Sequence, residues 1–393
     1  MRMIPRQLKS ELLAQLHEYP IVTVLGPRQA GKTTLAKTAL PHFAYVSLEN
    51  PDIRAFATED PRAFLKQNPS PVILDEIQRV PALLSYLQEI VDVSNRNGQF
   101  VLTGSHQLQL RESITQSLAG RTSILHLLPL SIDELRHANI EFDDFTDYLF
   151  QGFLPRIYDQ QQRPHLAYAN YFQSYVERDV RQLIALRDVV VFEKFLKLLA
   201  GRVGQVINYQ SLANDTGVDA KTIQHWLSIL EASYVIFRLP PYFENFGKRV
   251  IKTPKIYFTD TGMLCYLLGI ERLAQVKRDP LIGNLFENLI VLEALKGRYN
   301  LGLASNLYFF RDSQGHELDL LIKQGAQLSG VEIKSASTWH SSFKTGLKAF
   351  DSTVHALTHK TVVYSGTDMS FSDGIQAIHF KQASNCLSLA RHT

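Results

Sequence analysis

The residues best equipped for chemistry in this 393-residue chain stand in the run Gly26-Pro-Arg-Gln-Ala-Gly-Lys-Thr33, which fits G-x-x-x-x-G-K-[ST] without a mismatch. The backbone of Gly26, Pro27, Arg28, Gln29, Ala30, Gly31, Lys32, Thr33 and Thr34 would wrap a phosphate chain. The two glycines allow the curl, and a helix N-terminus adds partial positive charge. Lys32 would reach the β- and γ-phosphates, and the Thr33 hydroxyl would take one coordination site of a Mg²⁺.

A second constellation is Pro71-Val-Ile-Leu-Asp-Glu76, an apolar run ending in two carboxylates. Asp75 would hold the Mg²⁺ through water, and Glu76 would act as general base on the attacking water. Thr103 or Ser105, closing the run Gln99-Phe-Val-Leu-Thr-Gly-Ser105, would lie beside the γ-phosphate and orient that water. A plain strand-to-loop turn is the competing reading. Arg121, in Ser117-Leu-Ala-Gly-Arg121, is the first candidate for an arginine reaching a neighbouring subunit's nucleotide, with Arg111 behind it and a surface salt bridge as the alternative. Arg156 and Arg178 are candidates for a phosphate contact from a helical lid.

A third constellation lies near the C-terminus. Asp319 falls in one alternating run, and Glu332 and Lys334 share a face of the next. Two carboxylates and a lysine suit metal-assisted phosphodiester cleavage, in which the metal lowers the pKa of a bound water and Lys334 positions that water or stabilises charge. Glu287, in a preceding helical pattern, is a further acidic candidate.

These groups need elements to hold them. Ile21-Val-Thr-Val-Leu25 reads as a buried strand, and Thr34 to Leu40 as a helix stopped by Pro41, which is the context the phosphate-binding motif requires. Phe43 to Leu48, Pro71 to Glu76 and Gln99 to Ser105 supply further strands of a parallel α/β sheet. Leu8, Leu12, Leu13 and Leu16 form the apolar side of a preceding helix. Tyr168, Tyr171, Phe172 and Tyr175 read as the core of a helical lid. Asn208 to Leu239 has the grammar of a winged helix-turn-helix, with Gly217 at the turn and Asp219 capping the second helix. Lys221, Gln224 and His225 would face DNA from that second helix. Lys248, Arg249, Lys252 and Lys255 would add charge on the wing or hairpin that follows. A structural or protein-binding module is the competing reading. His316 to Ile322 and Gln327 to Ser335 form a β-hairpin turning at Gly325.

Composition sets the bounds. The chain is 45% apolar and 20% charged with a formal net charge of +3, as expected of a soluble globular protein of two or three domains. The charge permits nucleic-acid binding without arguing for it. No run approaches the roughly 18 apolar residues needed to span a bilayer, and no signal core opens the sequence, so the expected location is the cytoplasm, with no membrane partner. Cys265 and Cys386 are the only cysteines, with no CxxC and no His/Cys cluster at metal spacing, so neither a disulfide framework nor a structural zinc site is indicated.

Taken together, GPRQAGKTT (26–34), YVSLENPD (45–52), VILDEIQRVP (72–81), FVLTGS (100–105), SLAGR (117–121), YVERDVR (175–181), LPPYFENFGKRVIKTPKIYFTDTG (239–262), LFENLI (285–290) and VEIKS (331–335) resemble the prokaryotic AAA+ type ATPases that carry a C-terminal domain of unknown function. The resemblance implies ATP binding and hydrolysis with Mg²⁺, and assembly into a ring or other oligomer. Asp319 and Glu332-Ile-Lys334, with Glu287 as the helical acidic residue, resemble the PD-(D/E)XK nuclease superfamily, although Leu318 stands where that motif has proline. Such folds also serve as inactive binding modules. The expected architecture is an α/β ATPase core over 1–146, a helical lid with a winged-helix module over 147–272, and a nuclease-like α/β domain over 273–393.

Overall fold

The computed structural model describes residues 3–105, 117–175, 189–242, 253–312, 314–353 and 357–384. Arg111, Arg178, Lys248, Arg249, Lys252 and Cys386 lie outside them.

The N-terminal part is a parallel sheet of β1 (Ile21–Leu25), β2 (Ala44–Ser47), β3 (Val72–Asp75), β4 (Phe100–Gly104) and β5 (Thr122–His126), in the order β2-β3-β4-β1-β5. β1, β3 and β4 are buried along their whole length, as expected of parallel strands covered on both faces. β4 is inserted between β1 and β3, with Ile21 and Val72 both in register with Phe100. The ends of β1, β3 and β4 therefore emerge side by side, and these ends carry the phosphate-binding run, Asp75 and Thr103. Two apolar layers enclose the sheet. Leu8, Leu12 and Leu16 of helix Leu8–Glu18 pack on one face with Leu35 and Ala36 of helix Lys32–Ala39. Leu84, Leu87 and Val91 of helix Leu83–Ser94 pack on the other.

The middle part is helical. Tyr168, Tyr171, Phe172 and Tyr175 are buried, so the aromatic stripe is core, as its spacing predicts. Helices Tyr209–Thr216 and Ala220–Ala232 are joined through Gly217, at φ 85°, and Asp219 accepts from Thr222 N at 2.9 Å as the second helix begins. An antiparallel pair, β6 (Ile236–Leu239) and β7 (Lys255–Phe258), follows.

The C-terminal part is a mixed sheet of β8 (Leu307–Arg311), β9 (Glu317–Gln324), β10 (Gln327–Lys334), β11 (His359–Tyr364), β12 (Met369–Ser370) and β13 (Ile375–His379), ordered β12-β13-β11-β10-β9-β8. β9 and β10 form the expected hairpin, with Gly325 at φ 59°. Helix Ile282–Asn300 ties the molecule together, packing against β10, β7, β5 and helix Leu8–Glu18. Its Glu293 and Lys296 are both buried, 2.9 Å apart. Lys296 Nζ also donates to Leu130 O at 2.8 Å, and Glu293 accepts from Ile132 N at 2.9 Å. Buried charges survive only when paired and hydrogen-bonded, and here the partners come from the N-terminal part of the chain.

Candidate functional site

At the end of β1 the chain turns through Gly26, where a Cβ would stand 2.0 Å from Leu127 O, and through Gly31, at φ 93°, into helix Lys32–Ala39. Both positions require glycine, the first for close approach and the second for a left-handed backbone. Lys32 is buried, and its Nζ donates to Gly26 O and Pro27 O at 2.9 Å each. Burial lowers its pKa to about 8, against the opposing charges of Glu76 and Asp75.

Asp75 is the hub of this site. Its carboxylate accepts from the Thr33 hydroxyl at 3.0 and 3.1 Å, from the Tyr45 hydroxyl at 2.8 Å, and from the Thr103 hydroxyl. Tyr45 is pushed up to about 12 by burial and by its bond to Asp75. Glu76 has a left-handed backbone, at φ 58°, and its N–H donates to Thr103 Oγ1 at 3.2 Å. Its side chain accepts from Ser105 Oγ at 3.0 Å and from Gln78 Nε2. Lys32, Thr33, Asp75, Glu76, Thr103 and Ser105 are thus brought to one place. Thr103 faces Asp75, and Ser105 faces Glu76. A hydroxyl and a carboxylate within 3.1 Å of each other, beside a lysine with ordinary backbone acceptors, fit a Mg²⁺–nucleotide complex.

Three residues here escaped the sequence reading. Tyr45 reaches Asp75 from β2, whose register with β3 pairs Ser47 with Asp75. Gln78 lies in the 3-10 turn Ile77–Arg79 directly behind the carboxylates. Arg6 braces the phosphate-binding run from below, donating to Ala30 O at 2.5 Å, Leu128 O at 2.7 Å and Glu134 Oε1 at 3.0 Å. A lone arginine before a helix carries no local signal for such a role.

Arg121 is not part of this cluster. It precedes β5, at the end of the sheet opposite the phosphate-binding run, and pairs with Asp92 through Nε at 2.6 Å and Nη2 at 2.9 Å. Arg156 is exposed in the short helix Pro155–Asp159. Its neighbour Pro155 comes within 3.9 Å of where a Gly31 Cβ would sit.

In the C-terminal sheet, Asp319 on β9 and Glu332 and Lys334 on β10 converge. Lys334 Nζ is 3.0 Å from Asp319 Oδ2 and 2.5 Å from Glu332 Oε2, and Ile333 N donates to Asp319 Oδ2 at 2.8 Å. Burial and the Asp319 charge push Glu332 up to about 8. Burial also works against ionisation of Asp319, but the Lys334 and Lys255 charges outweigh it and hold that carboxyl below its ordinary value. The two carboxyls are thus driven in opposite directions, Asp319 towards its ionised form and Glu332 towards its protonated one.

Two expectations change here. Lys255 does not add to an exposed basic wing. It is 2% exposed, with Nζ 2.9 Å from Glu287 Oε1 and 2.5 Å from Glu317 Oε1, because a desolvated ammonium needs counter-charges close by. Glu287, expected as a third metal ligand, accepts from Lys255 and, at 2.5 Å, from the Tyr257 hydroxyl. Among the described residues, no three His, Cys, Asp or Glu side chains are gathered as a metal-holding group. Asp319 and Glu332 alone, a half-buried and a buried carboxylate on adjacent strands, still fit a single divalent ion.

On helix Ala220–Ala232, Lys221, Gln224 and His225 are exposed while Ile223, Trp226 and Leu227 are buried, so the three expected contact residues share the solvent face. Among the described residues, no helix is long and apolar enough to cross a membrane.

A parallel sheet with a phosphate-binding turn at β1 and paired carboxylates at β3 defines an AAA-type P-loop ATPase domain, and residues 18–136 match the family described as AAA domain. Residues 142–274 and 282–383 match two families described as domains of unknown function, DUF8612 and DUF4143. The uncharacterized protein Rv2008c of Mycobacterium tuberculosis is 32% identical over 338 residues, spanning 85% of this chain and 74% of its own length. The uncharacterized protein MJ1637 of Methanocaldococcus jannaschii is 24% identical over 358 residues, spanning 78% of this chain and 71% of its own. The chain belongs to one family with the mycobacterial protein, as an ATPase with an AAA domain followed by two domains of unknown function. Among solved structures it is similar to the Walker-type ATPase PABY2304 of Pyrococcus abyssi, at 15% identity and a TM-score of 0.46, over 67% of this chain and 96% of that one.

Proposed function

We propose that the protein is an ATP-driven switch or motor acting on DNA, in which hydrolysis at the Asp75 cluster changes how the C-terminal domain holds its partner. The single observation behind the hydrolysis reading is the convergence of Lys32, Thr33, Asp75 and Glu76 at the ends of β1 and β3.

The roles follow from this arrangement. Lys32 leaves Gly26 O and Pro27 O and moves to the β- and γ-phosphates, while the N–H groups of Arg28 to Thr34 line the phosphate chain. Thr33 and Asp75 hold Mg²⁺, which when bound neutralises charge developing on the phosphate oxygens. Glu76 accepts a proton from the attacking water as the water oxygen bonds to the γ-phosphorus. The bond to the β–γ bridging oxygen breaks with its electron pair left on ADP. Ser105 holds Glu76 in place. Arg156 contacts phosphate from the lid, and Arg121, freed from Asp92, serves a neighbouring subunit's site in a ring or other oligomer.

The DNA reading is supported by the exposed Lys221, Gln224 and His225 on the second helix of a helix-turn-helix, which reads as the major-groove element of a winged helix. In the nuclease-like C-terminal domain, Asp319 and Glu332 would hold one metal ion and Lys334 would orient the water. A second reading has its own observation. Lys334 already pairs with both carboxylates there, which favours a domain that binds a partner under ATP control without cutting it.

The deciding experiment measures ATP turnover and strand cleavage together on single-stranded, duplex, forked and four-way DNA with Mg²⁺ or Mn²⁺. Lys32→Ala and Asp319→Asn are the controls. DNA-stimulated turnover lost in Lys32→Ala is the expected result. Cleavage lost in Asp319→Asn makes the second site a nuclease, and turnover indifferent to every DNA overturns the DNA reading in favour of the regulatory one.

A further inference from the structure

We propose that Gln78 is a catalytic residue for ATP hydrolysis: its side-chain carbonyl accepts one hydrogen of the attacking water while Glu76 accepts the other. This rests on the reading of Glu76 as general base given above. The Gln78 amide faces the Glu76 carboxylate and lies 3.1 Å from Ser105 Oγ, which itself donates to Glu76 Oε2 at 3.0 Å. An atom against a carboxylate must be the N–H end of the amide, so the carbonyl end is directed elsewhere. That oxygen, Oε1, is buried with no hydrogen-bond partner among the described residues. A buried acceptor left unmade costs free energy, and such a group beside a catalytic carboxylate is suited to a ligand that arrives with the substrate.

The backbone explains why residue 78 returns to this spot. Glu76 at φ 58° reverses the chain at the end of β3, and the 3-10 turn Ile77–Arg79 brings residue 78 back beside residue 76. A left-handed non-glycine residue is strained, and such strain is characteristic of functional sites. The chemistry of the pair is complementary. A water that donates one hydrogen to a carboxylate and the other to an amide carbonyl keeps a lone pair free to attack phosphorus. As the oxygen–phosphorus bond forms, the proton facing Glu76 moves to that carboxylate. The proton facing Gln78 stays on the new phosphate oxygen, because an amide carbonyl is too weak a base to take it. The leaving electron pair stays on ADP.

The test uses the full chain and compares Gln78→Ala, Gln78→Lys and Glu76→Gln with the unaltered protein. Gln78→Lys keeps a donor against Glu76 but has no acceptor, and its charge also weakens Glu76 as a base, so the roles are separated by comparing binding of the transition-state mimic with binding of ADP alone as well as by kcat. The expected result is a fall in kcat of roughly 10- to 100-fold in both Gln78 variants with KM within about twofold. Binding of ADP with aluminium fluoride should weaken by a similar factor while binding of ADP alone, which also reports an intact fold, is unchanged. Normal kcat in Gln78→Lys, or equal weakening of both ligands, overturns the role of Gln78 alone. Undiminished turnover in Glu76→Gln overturns the reading of the site, and the role of Gln78 with it.

Discussion

The two carboxylate clusters of this chain use the same residue types and are built in opposite ways. Around Asp75 the partners are neutral hydroxyls from Thr33, Tyr45 and Thr103, and the nearby cation, Lys32, rests on backbone carbonyls. Around Asp319 and Glu332 the partners are cations, Lys334 and, through Glu287 and Glu317, Lys255. A hydroxyl can rotate to make room for an incoming ion, and a lysine on carbonyls can leave at the cost of two hydrogen bonds. A buried ion pair must be broken before its carboxylate can serve anything else, at a cost of several kcal/mol. The first cluster is therefore poised for a charged ligand, and the second is neutralised by the chain itself.

The largest expected effect separates the two directly. Asp319→Asn breaks one of the two carboxylate contacts of Lys334, leaving Glu332 as its remaining partner, and weakens the counter-charge on Lys255, and should destabilise the protein by about 3 kcal/mol in urea unfolding. Asp75→Asn removes no partner from a buried cation's own ion pair, and should change stability by no more than about 1 kcal/mol while abolishing ATP turnover. Equal destabilisation by the two substitutions would erase the distinction.

A smaller effect tests the neutral partners one at a time. Tyr45→Phe removes one of three hydroxyls from Asp75, and kcat/KM for ATP should fall about tenfold, the equivalent of roughly 1.4 kcal/mol, as measured by steady-state turnover. Tyr257→Phe removes the hydroxyl from Glu287. It should cost about 1–3 kcal/mol of stability with ATP turnover unaltered. Reversal of the two outcomes would mean that the hydroxyls around Asp75 are structural and that the second cluster serves the ATP site.

Much of the first cluster was legible because its residues are contiguous. The phosphate-binding run lies in one turn and the start of the helix that follows it, and Val72 to Glu76 on one strand and its following turn, so spacing alone puts Lys32 beside Thr33 and Asp75 beside Glu76. The hairpin of β9 and β10 was legible for the same reason, since alternation and Gly325 set the register that joins Asp319 to Glu332. What escaped notice comes from afar. Tyr45 reaches Asp75 across 30 residues, Arg6 reaches Glu134 across 128, and Lys255 reaches Glu287 across 32. No periodicity encodes such partnerships. Lys255 shows the cost, because in a run with Lys248, Arg249 and Lys252 it reads as one more surface charge, and only the packing of β7 against helix Ile282–Asn300 makes it a buried counter-ion.

The smallest expected effect concerns protons, and its sign differs between the clusters. Lys32 has a folded pKa of about 8, below its ordinary 10.5, because of burial. The unfolded chain therefore binds the proton more tightly, and this group adds stability as pH rises from about 8 towards 10.5. Glu332 has a folded pKa of about 8, above its ordinary 4.5. Its contribution is full below 4.5 and is lost as pH rises through 8. For function, only the protonated Lys32 attracts phosphate, so raising pH from 7 to 8.5 should weaken ATP binding about fourfold, with proton uptake on binding. Titration calorimetry in two buffers of different ionisation enthalpy measures both quantities. Affinity unchanged across that range, with no proton taken up, would mean that Lys32 stays charged on its carbonyls, and that the first cluster holds its cation as firmly as the second.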